Sequence, residues 1–162
     1  MNILAEIKSD NEEASSWLLY YPVRRRQYYQ DRLELLGSTP SSEIRVKTGP
    51  GNQTMQKALR MSALDHVEDW LKIIELVENV LGEKKLVFLK VRREASYIQD
   101  RFVRGRPAWV VYTQHHYANE MAKKYQSQPE KFWLSERTLK SWWQEIVELT
   151  ARLALKKGLL KK

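Results

Sequence analysis

The chain of 162 residues contains no cysteine. This absence excludes disulfide frameworks and thiolate metal sites, and a reducing compartment is the expected environment. No run approaches the roughly 18 consecutive apolar residues of a membrane span, and the acidic, polar N-terminal segment lacks the pattern of a signal peptide. We therefore expect a soluble, intracellular protein that does not contact a membrane.

Glycine and proline are scarce, at six and five residues, and four of these eleven lie within residues 38–53. Gly49, Pro50 and Gly51 follow Pro40 in a stretch without helical periodicity, which predicts a mobile linker over residues 38–53. The linker would separate an N-terminal helical arm, residues 1–37, from the rest of the chain.

The arm is predicted to be two helical pieces hinged near Pro22, because proline breaks a helix interior but suits a first helical turn. Gly37 is the expected stop of the second piece. Within that piece three residues share one face: Tyr29, Leu33 and Leu36.

After the linker the apolar spacing becomes helical over residues 54–81, with Thr54 as the expected N-cap and Gly82 as the C-terminal stop. A helix of this length packs along another long helix. Its partner is either a second copy of the chain, which would give a homo-oligomer through residues 54–81, or residues 10–36 in an intramolecular hairpin. The stripe that would make the contact is Leu64, Val67, Leu71, Ile74 and Leu81.

A further helix is predicted to begin near Glu83, which completes a helical-hairpin region at residues 54–100. Its expected buried residues are Leu86, Val87, Leu89, Val91 and Ile98. Residues 100–108 form a basic turn around Gly105 and Pro107, and residues 109–125 have helical spacing that includes the strand-like "WVVYT". The expected fold class is all-α, with an N-terminal helical arm, a long central helix and a helix-turn-helix-like C-terminal region at residues 101–162.

Charge is divided unevenly between the two halves of the chain. Residues 1–81 hold 10 Lys and Arg against 12 Asp and Glu, whereas residues 82–162 hold 18 against 8. Solubility alone does not account for a slightly acidic half next to a strongly basic one. The asymmetry favours a polyanion, such as double-stranded DNA, as the partner of the C-terminal half.

The last helix carries the pattern that connects this charge to DNA. Ser135 is a good N-cap and Glu136 complements the helix dipole. A buried stripe is expected at Leu139, Trp142 or Trp143, Ile146, Leu149 and Leu153. The opposite face presents Arg137, Lys140, Ser141 and Gln144, which can bond to base edges and phosphates from the N-terminal part of a helix in a major groove. An ordinary solvated face is the alternative interpretation.

A helix-turn-helix also needs a supporting helix with small residues at the crossing. "YANEMAKKY" supplies Ala118 and Ala122, and it places Lys123 and Lys124 where phosphate contacts would be useful.

The "A-K-K" step, followed by "SERT" and a polar helix near a basic terminus, resembles the C-terminal half of phage transcriptional regulators of the RinA and ArpU type. The N-terminal "WLLYYPVRRRQYYQDRLELL" and the order of segments are similar as well. The resemblance implies a helix-turn-helix like that of sigma-factor region four, in a bacterial host's cytoplasm. Its DNA-binding positions fall on Ser135, Arg137, Thr138, Lys140, Ser141 and Gln144. One departure is the distance from Ala122 to Ser135, which is longer than the family's turn.

Motifs for catalysis are weak. His115 and His116 are adjacent, so on a helix they diverge by about 100° and cannot both face one metal. "TGPGNQT" lacks the Lys-Ser/Thr of a P-loop. We therefore expect that the protein is not an enzyme and that it binds neither a metal nor a cofactor.

The leading hypothesis is therefore a sequence-specific DNA-binding transcriptional regulator encoded by a phage or prophage and acting in late-gene control. The alternatives are a phage DNA-packaging protein resembling a small terminase subunit, and an adaptor whose basic face binds RNA polymerase.

Overall fold

The computed structural model describes residues 2–37 and 50–160, and this part of the chain is all-α, as predicted. Five α-helices follow one another: α1 Ile3–Gly37, α2 Pro50–Val80, α3 Glu83–Ala95, α4 Ala108–Tyr125 and α5 Glu136–Lys156. Between α3 and α4 lies a small hairpin of β1 Phe102–Val103 and β2 Arg106–Pro107, and a 3₁₀ turn at Pro129–Phe132 precedes α5. Within this part, no helix combines the length and the apolar character needed to cross a membrane.

The first helix continues through Pro22, so the predicted hinge is wrong. A proline cannot donate the helical hydrogen bond to the carbonyl four residues earlier, which here belongs to Leu18. Arg93 of α3 supplies that bond instead, with its Nε atom 2.8 Å from the Leu18 oxygen. The same guanidinium pairs with Glu78 at 2.6 Å and lies over the ring of Tyr21. Tertiary contacts therefore keep α1 continuous where its own sequence would break it.

The second helix begins at Pro50, so Thr54 is not its N-cap and the predicted linker extends too far. Proline suits a first helical turn because the N–H that it lacks would have no partner there. Residues 38–49, the remainder of the predicted linker, lie outside the described residues. Helix α2 ends at Val80, so the predicted stop at Gly82 is confirmed. This glycine is not left-handed, because its φ of −71° and ψ of 167° are those of extended backbone, and it is also the N-cap residue of α3.

Helices α1 and α2 form an antiparallel hairpin, which was one of the two arrangements that the sequence left open. Trp17 stacks on Trp70 with ring centroids 5.2 Å apart and planes 6° from parallel. The Tyr21 hydroxyl donates to Glu75 at 3.3 Å. The predicted α2 stripe is used inside the chain, with Leu71 and Ile74 buried in the core.

Helix α5 lies at the centre of the fold, in contact with α1, α2 and α4. Its predicted core residues Leu139 and Ile146 are buried, whereas Leu149 and Leu153 are only half-buried. Small side chains complete the buried face, because α5 is packed on more than one side: Val147, Thr150, Ala151 and Ala154.

The buried face of α3 also differs in part from the prediction. Leu89 and Val91 are buried as expected, and Phe88 joins them, but Leu86 is 39% exposed. Ile98 follows the end of the helix, which stops at Ala95. Residues 109–113 are helical, which confirms the helical interpretation of "WVVYT".

Two regions of the molecule differ in packing, and we name them here. The body consists of α3, α4, α5 and the parts of α1 and α2 that these helices cover. From here on the name arm refers to residues 22–37 of α1 and 50–69 of α2, which continue the hairpin past the body, and no longer to residues 1–37. The side chains of Leu33, Leu36 and Leu59 in the arm are between 65% and 70% exposed, so no described neighbour covers them.

Candidate nucleic-acid interface

The start of α5 is fixed by Ser135, whose Oγ accepts a hydrogen bond from the Thr138 backbone N–H at 3.1 Å. The predicted N-cap is therefore confirmed. The hydroxyls of Ser135 and Thr138 also lie 2.9 Å apart and bond to each other. These two predicted site residues thus hold the end of the helix in place, which leaves their hydroxyls less free to bond to a ligand.

The polar face of the first turns of α5 points to solvent, as its spacing predicted. Arg137 and Ser141 are exposed, and no ion pair is formed by Arg137 within residues 2–37 and 50–160. Lys140 pairs with Glu136 at 3.0 Å, and the Gln144 amide donates to Glu148 at 3.0 Å. Both of these bonds are on the surface, where an exposed pair contributes roughly 0–1 kcal/mol. A stronger ligand can therefore replace them.

The β1–β2 hairpin is attached to the beginning of α5. Arg106 donates from its Nη2 atom to Gln114 at 2.6 Å, and its Nε atom is 3.4 Å from Glu136. Gln114 is buried, and its amide in turn donates to the Leu134 carbonyl at 3.0 Å. This chain of bonds connects the hairpin, α4 and the segment that leads into α5, so the hairpin and the first turn of α5 form one surface.

Two further arginines lie on this hairpin or directly before it, and their positions along the chain do not mark them as site residues. Arg101 precedes β1, and Arg104 occupies the turn of the hairpin with Gly105. Both are exposed. The spacing of the arginine-rich "DRFVRGRPA" predicts only a basic turn. Its position next to α5 depends on the Arg106–Glu136 contact, which joins residues 30 positions apart.

The hairpin turn places Arg104 at φ 52° and Gly105 at φ 78°. A left-handed backbone costs a residue with a side chain about 1–2 kcal/mol, whereas glycine or asparagine adopts it more readily. The turn needs a left-handed residue at position 104, but it does not need an arginine there. Arg104 therefore has a conformational cost that glycine or asparagine would avoid.

The carboxylate of Glu136 reduces the positive charge of this surface. The hydrogen bond from Lys140, and with it that from Arg106, holds the pKa of the Glu136 carboxyl below its usual range. Glu136 is therefore ionised at neutral pH. It compensates part of the charge of Lys140 and Arg106, whereas Arg101, Arg104 and Arg137 form no ion pair with another described residue.

Lys123 and Lys124 lie elsewhere, at the C-terminal end of α4. Lys124 pairs with Glu83 of α3 at 2.5 Å, and this hydrogen bond raises the pKa of the lysine. Lys123 is exposed. Gln114, which is bonded to the Leu134 carbonyl, precedes them by about ten residues of helix, a distance of roughly 15 Å. The structure therefore does not bring these lysines into the first-turn surface of α5.

The distance from Ala122 to Ser135 is long for two reasons. Helix α4 continues to Tyr125, and the 3₁₀ turn then packs Phe132 against it, with the rings of Tyr125 and Phe132 stacked at 5.8 Å. Trp133 remains 47% exposed and meets the edge of His115. The turn is therefore longer than that of a simple helix-turn-helix.

Along its flank α5 borders a groove of about 820 Å³ that separates it from the first half of α1. Lys140 and Gln144 line this groove on one side, so a ligand at these residues also approaches α1. At its edge the Arg92 guanidinium lies between the rings of Trp109 and Trp143, at 4.3 and 4.6 Å. Burial lowers the pKa of Arg92 to about 10, which still leaves it charged at neutral pH.

The histidines of α4 point to different neighbours. His116 stacks on Tyr112 at 3.8 Å, while His115 meets the edge of Trp133 at 5.0 Å. No group of three or more His, Cys, Asp or Glu side chains among residues 2–37 and 50–160 is arranged to hold a metal ion.

Comparison of the chain with protein-family models, curated proteins and solved structures finds no match. The resemblance to phage regulators therefore rests on the quoted sequence segments alone.

Proposed function

We propose that the protein is a sequence-specific, double-stranded-DNA-binding transcriptional regulator of phage or prophage origin, acting in late-gene control. The observation that carries this proposal is the surface where the exposed polar face of the first turns of α5 lies next to an arginine-rich hairpin. An exposed helix end with Arg, Lys, Ser and Gln side chains can bond to base edges in a major groove.

In this proposal the surface divides its work between bases and phosphates. Arg137, Ser141 and Gln144 contact base edges, because they follow one another on the exposed side of α5. Arg101 and Arg104 contact the phosphate backbone beside the groove. The left-handed conformation of Arg104 supports this role, since its cost is offset when the side chain binds a partner.

Lys140 is released from Glu136 when DNA binds and becomes a further base or phosphate contact. Lys123 and Lys124 contribute at most a separate phosphate contact, because they lie at the other end of α4 and Lys124 is bonded to Glu83.

The test begins with selection of bound duplexes from random DNA, followed by binding of the selected duplex to variants. Arg137→Ala should cost about 1–3 kcal/mol at one base position and relax the preference there. Arg104→Ala should weaken binding to all duplexes alike and reduce the slope of log K against log salt by about one unit. Fluorescence anisotropy over a range of salt concentrations measures both effects.

The matched control is Arg152→Ala, which removes an exposed arginine from the other end of α5. It should leave affinity and sequence preference unchanged. If folded Arg137→Ala and Gln144→Ala variants keep full affinity and the original preference, the recognition-helix assignment is wrong.

A second function, phage DNA packaging in the manner of a small terminase subunit, is favoured by one observation, the long arm with its exposed apolar residues. Such a protein would bind DNA as a ring, so a closed oligomer of more than two chains in solution would favour it. An RNA-polymerase-binding adaptor would instead bind polymerase without preferring any duplex.

A further inference from the structure

The groove between α1 and α5 has two helical walls. On the α1 side its lining residues recur every three or four positions from Leu4 to Tyr20, so they form one face of that helix. The α5 wall extends from Lys140 to Val147, and Trp109 of α4 adds to the lining. At a rise of about 1.5 Å per residue the α1 wall is about 24 Å long. The groove therefore has the length and the walls to receive one further helix.

Most of the surface of this groove is apolar, and much of it is in contact with solvent. Leu4 and Ile7 are 77% and 52% exposed, and the rings of Trp109 and Trp143 are half-buried. Removal of such side chains from water favours association with an apolar partner. A strip of this kind between two helices is a surface on which an amphipathic helix can lay its apolar face.

One end of the groove carries a cation without a counterion. Arg92 of α3 lies between Trp109 and Trp143, and the nearby Tyr20 acts on its charge. The Arg92 Nε atom is buried without a hydrogen-bond partner, and no described carboxylate forms an ion pair with this arginine. The tryptophan rings attract the guanidinium but offer it no hydrogen-bond acceptor. A carboxylate at this position would supply one.

The other charges of the groove leave this end the most positive. Lys8 and Glu12 are one helical turn apart on the α1 wall, so they offset each other's charge. Lys140 precedes Trp143 by one turn and is bonded to Glu136 on the surface, where a stronger ligand can release it. Charge complementarity therefore favours an occupant that is acidic at the end that meets Arg92.

We propose that the groove binds an amphipathic α-helix of a partner protein, which places its apolar face on the groove and an acidic side chain against Arg92. Leu4 and Ile7 contact the apolar face at one end, and Trp143 extends the contact toward Arg92. The acidic side chain can accept two hydrogen bonds from one guanidinium. The proposal does not rest on DNA binding, because it concerns the flank of α5 and is measured without a duplex.

The first experiment selects displayed peptides of random sequence, about 16 residues long to match the α1 wall. Peptides are retained when they bind the wild-type chain but not Ile7→Glu, which places a charge in the groove at an exposed position. The enriched peptides should carry apolar residues at helical spacing and an Asp or Glu at one end. A selection without enrichment, or one that enriches basic peptides, would overturn the proposal.

The second experiment measures the binding of one enriched peptide, labelled with fluorescein, by fluorescence anisotropy. The dissociation constant should rise by about tenfold or more in Arg92→Met, which removes the charge but keeps an unbranched side chain between the tryptophans. An equal rise is expected in Ile7→Glu. The matched control is Ile3→Glu, which alters an exposed isoleucine of α1 that does not line the groove, and it should bind like the wild type.

Near-ultraviolet circular dichroism verifies that the variants remain folded. Because Ile7 is exposed, its substitution keeps the test valid even if Arg92→Met loses structure. Unchanged affinity in Ile7→Glu, or an equal loss in Ile7→Glu and Ile3→Glu, would show that the peptide does not lie in the groove.

A double-mutant cycle tests the pairing of charges. Replacement of the acidic residue of the peptide by glutamine should weaken binding to the wild type by about tenfold, because Arg92 loses its counterion. The same replacement should have little effect on binding to Arg92→Met, where that charge is already absent. Losses that simply add would show that the acidic residue contacts another group, and the assignment of Arg92 would be wrong.

Sedimentation equilibrium of the chain alone distinguishes a partner helix from a second copy of this protein. The wild type, Ile7→Glu and Ile3→Glu should have the same association state at all concentrations, because the groove is open to another protein. If the wild type associates and Ile7→Glu alone abolishes the association, the groove is filled by a second copy and the proposal is wrong.

Discussion

The body and the arm are made from the same two helices, yet they hold those helices by different means. In the body, α1 and α2 are surrounded by other elements, and residues such as Leu18, Trp70 and Val77 are buried almost completely. In the arm the two helices have only each other among the described elements, and large apolar side chains remain exposed. The comparison shows that helix formation and helix burial are separate events in this chain. The apolar pattern continues past the point where the described elements cover it.

The largest effect should separate the two regions directly. Trp70→Ala removes a fully buried side chain of the body and should lower the free energy of unfolding by about 3–5 kcal/mol. Leu33→Ala in the arm should change it by no more than about 0.5 kcal/mol when the protein is monomeric. Urea unfolding followed by circular dichroism measures both. Comparable losses would mean that the arm is as well packed as the body.

The next effect concerns the boundary, where Arg93 completes the hydrogen bonding of α1 around Pro22. Arg93→Ala should cost about 1.5–3 kcal/mol, because a charge-assisted hydrogen bond and an ion pair are lost. In a Pro22→Ala background the cost should be smaller by about 1 kcal/mol, since the alanine backbone has an N–H to donate to the Leu18 carbonyl. Thermal unfolding of the wild type, the two single variants and the double variant gives a double-mutant cycle. Strictly additive losses in stability would show that Arg93 does not compensate for the hydrogen bond that Pro22 cannot donate.

A smaller effect is expected at the start of α5. Ser135→Ala removes the cap and should cost about 1 kcal/mol, whereas Ser135→Asp, which retains an acceptor, should be nearly neutral. The same measurements of unfolding apply. A loss in Ser135→Asp equal to that in Ser135→Ala would indicate that the contact between the Ser135 and Thr138 hydroxyls, rather than the cap, is what matters.

The smallest effect at neutral pH is that of Tyr21→Phe, which removes one hydroxyl at the boundary. Burial, followed by the nearby charges of Glu75 and Glu78, raises the pKa of Tyr21 from 10.0 to about 12. The folded pKa is above the unfolded one, so the contribution to stability is complete below pH 10 and is lost as the pH rises toward 12. Wild-type stability should therefore fall more steeply than that of Tyr21→Phe over this interval. Parallel curves would show that the tyrosine ionises in the folded protein as easily as in the unfolded chain.

The features that depend on neighbours along the chain could be predicted from the sequence. The all-α class, the start of α3 at Glu83, the helix over residues 109–113 and the Ser135 cap all follow from local spacing and capping chemistry. The exposed polar face of the first turns of α5 belongs to the same group, because an amphipathic helix orients its own polar side.

The features that depend on distant residues could not be predicted. The continuity of α1 rests on Arg93, which is 75 residues from Leu18. The sequence predicts that Lys124 contacts a phosphate, but in the structure Lys124 forms an ion pair with Glu83 of α3. The Arg106–Glu136 contact joins the hairpin that carries Arg104 to the first turn of α5. In each case the decisive partner is a charged side chain on another element, and sequence spacing carries no information about which element will be near.

The stacked pair of Trp17 and Trp70 gives the molecule an internal optical reporter. Two indole rings with centroids 5.2 Å apart and nearly parallel planes are close enough for their electronic transitions to couple. The pair joins α1 to α2, so its share of the near-ultraviolet circular dichroism of the six tryptophans is lost when the hairpin opens, and a Trp17→Phe variant identifies that share. Separation of the two helices can therefore be followed in the unlabelled protein, independently of the far-ultraviolet signal of the helices themselves.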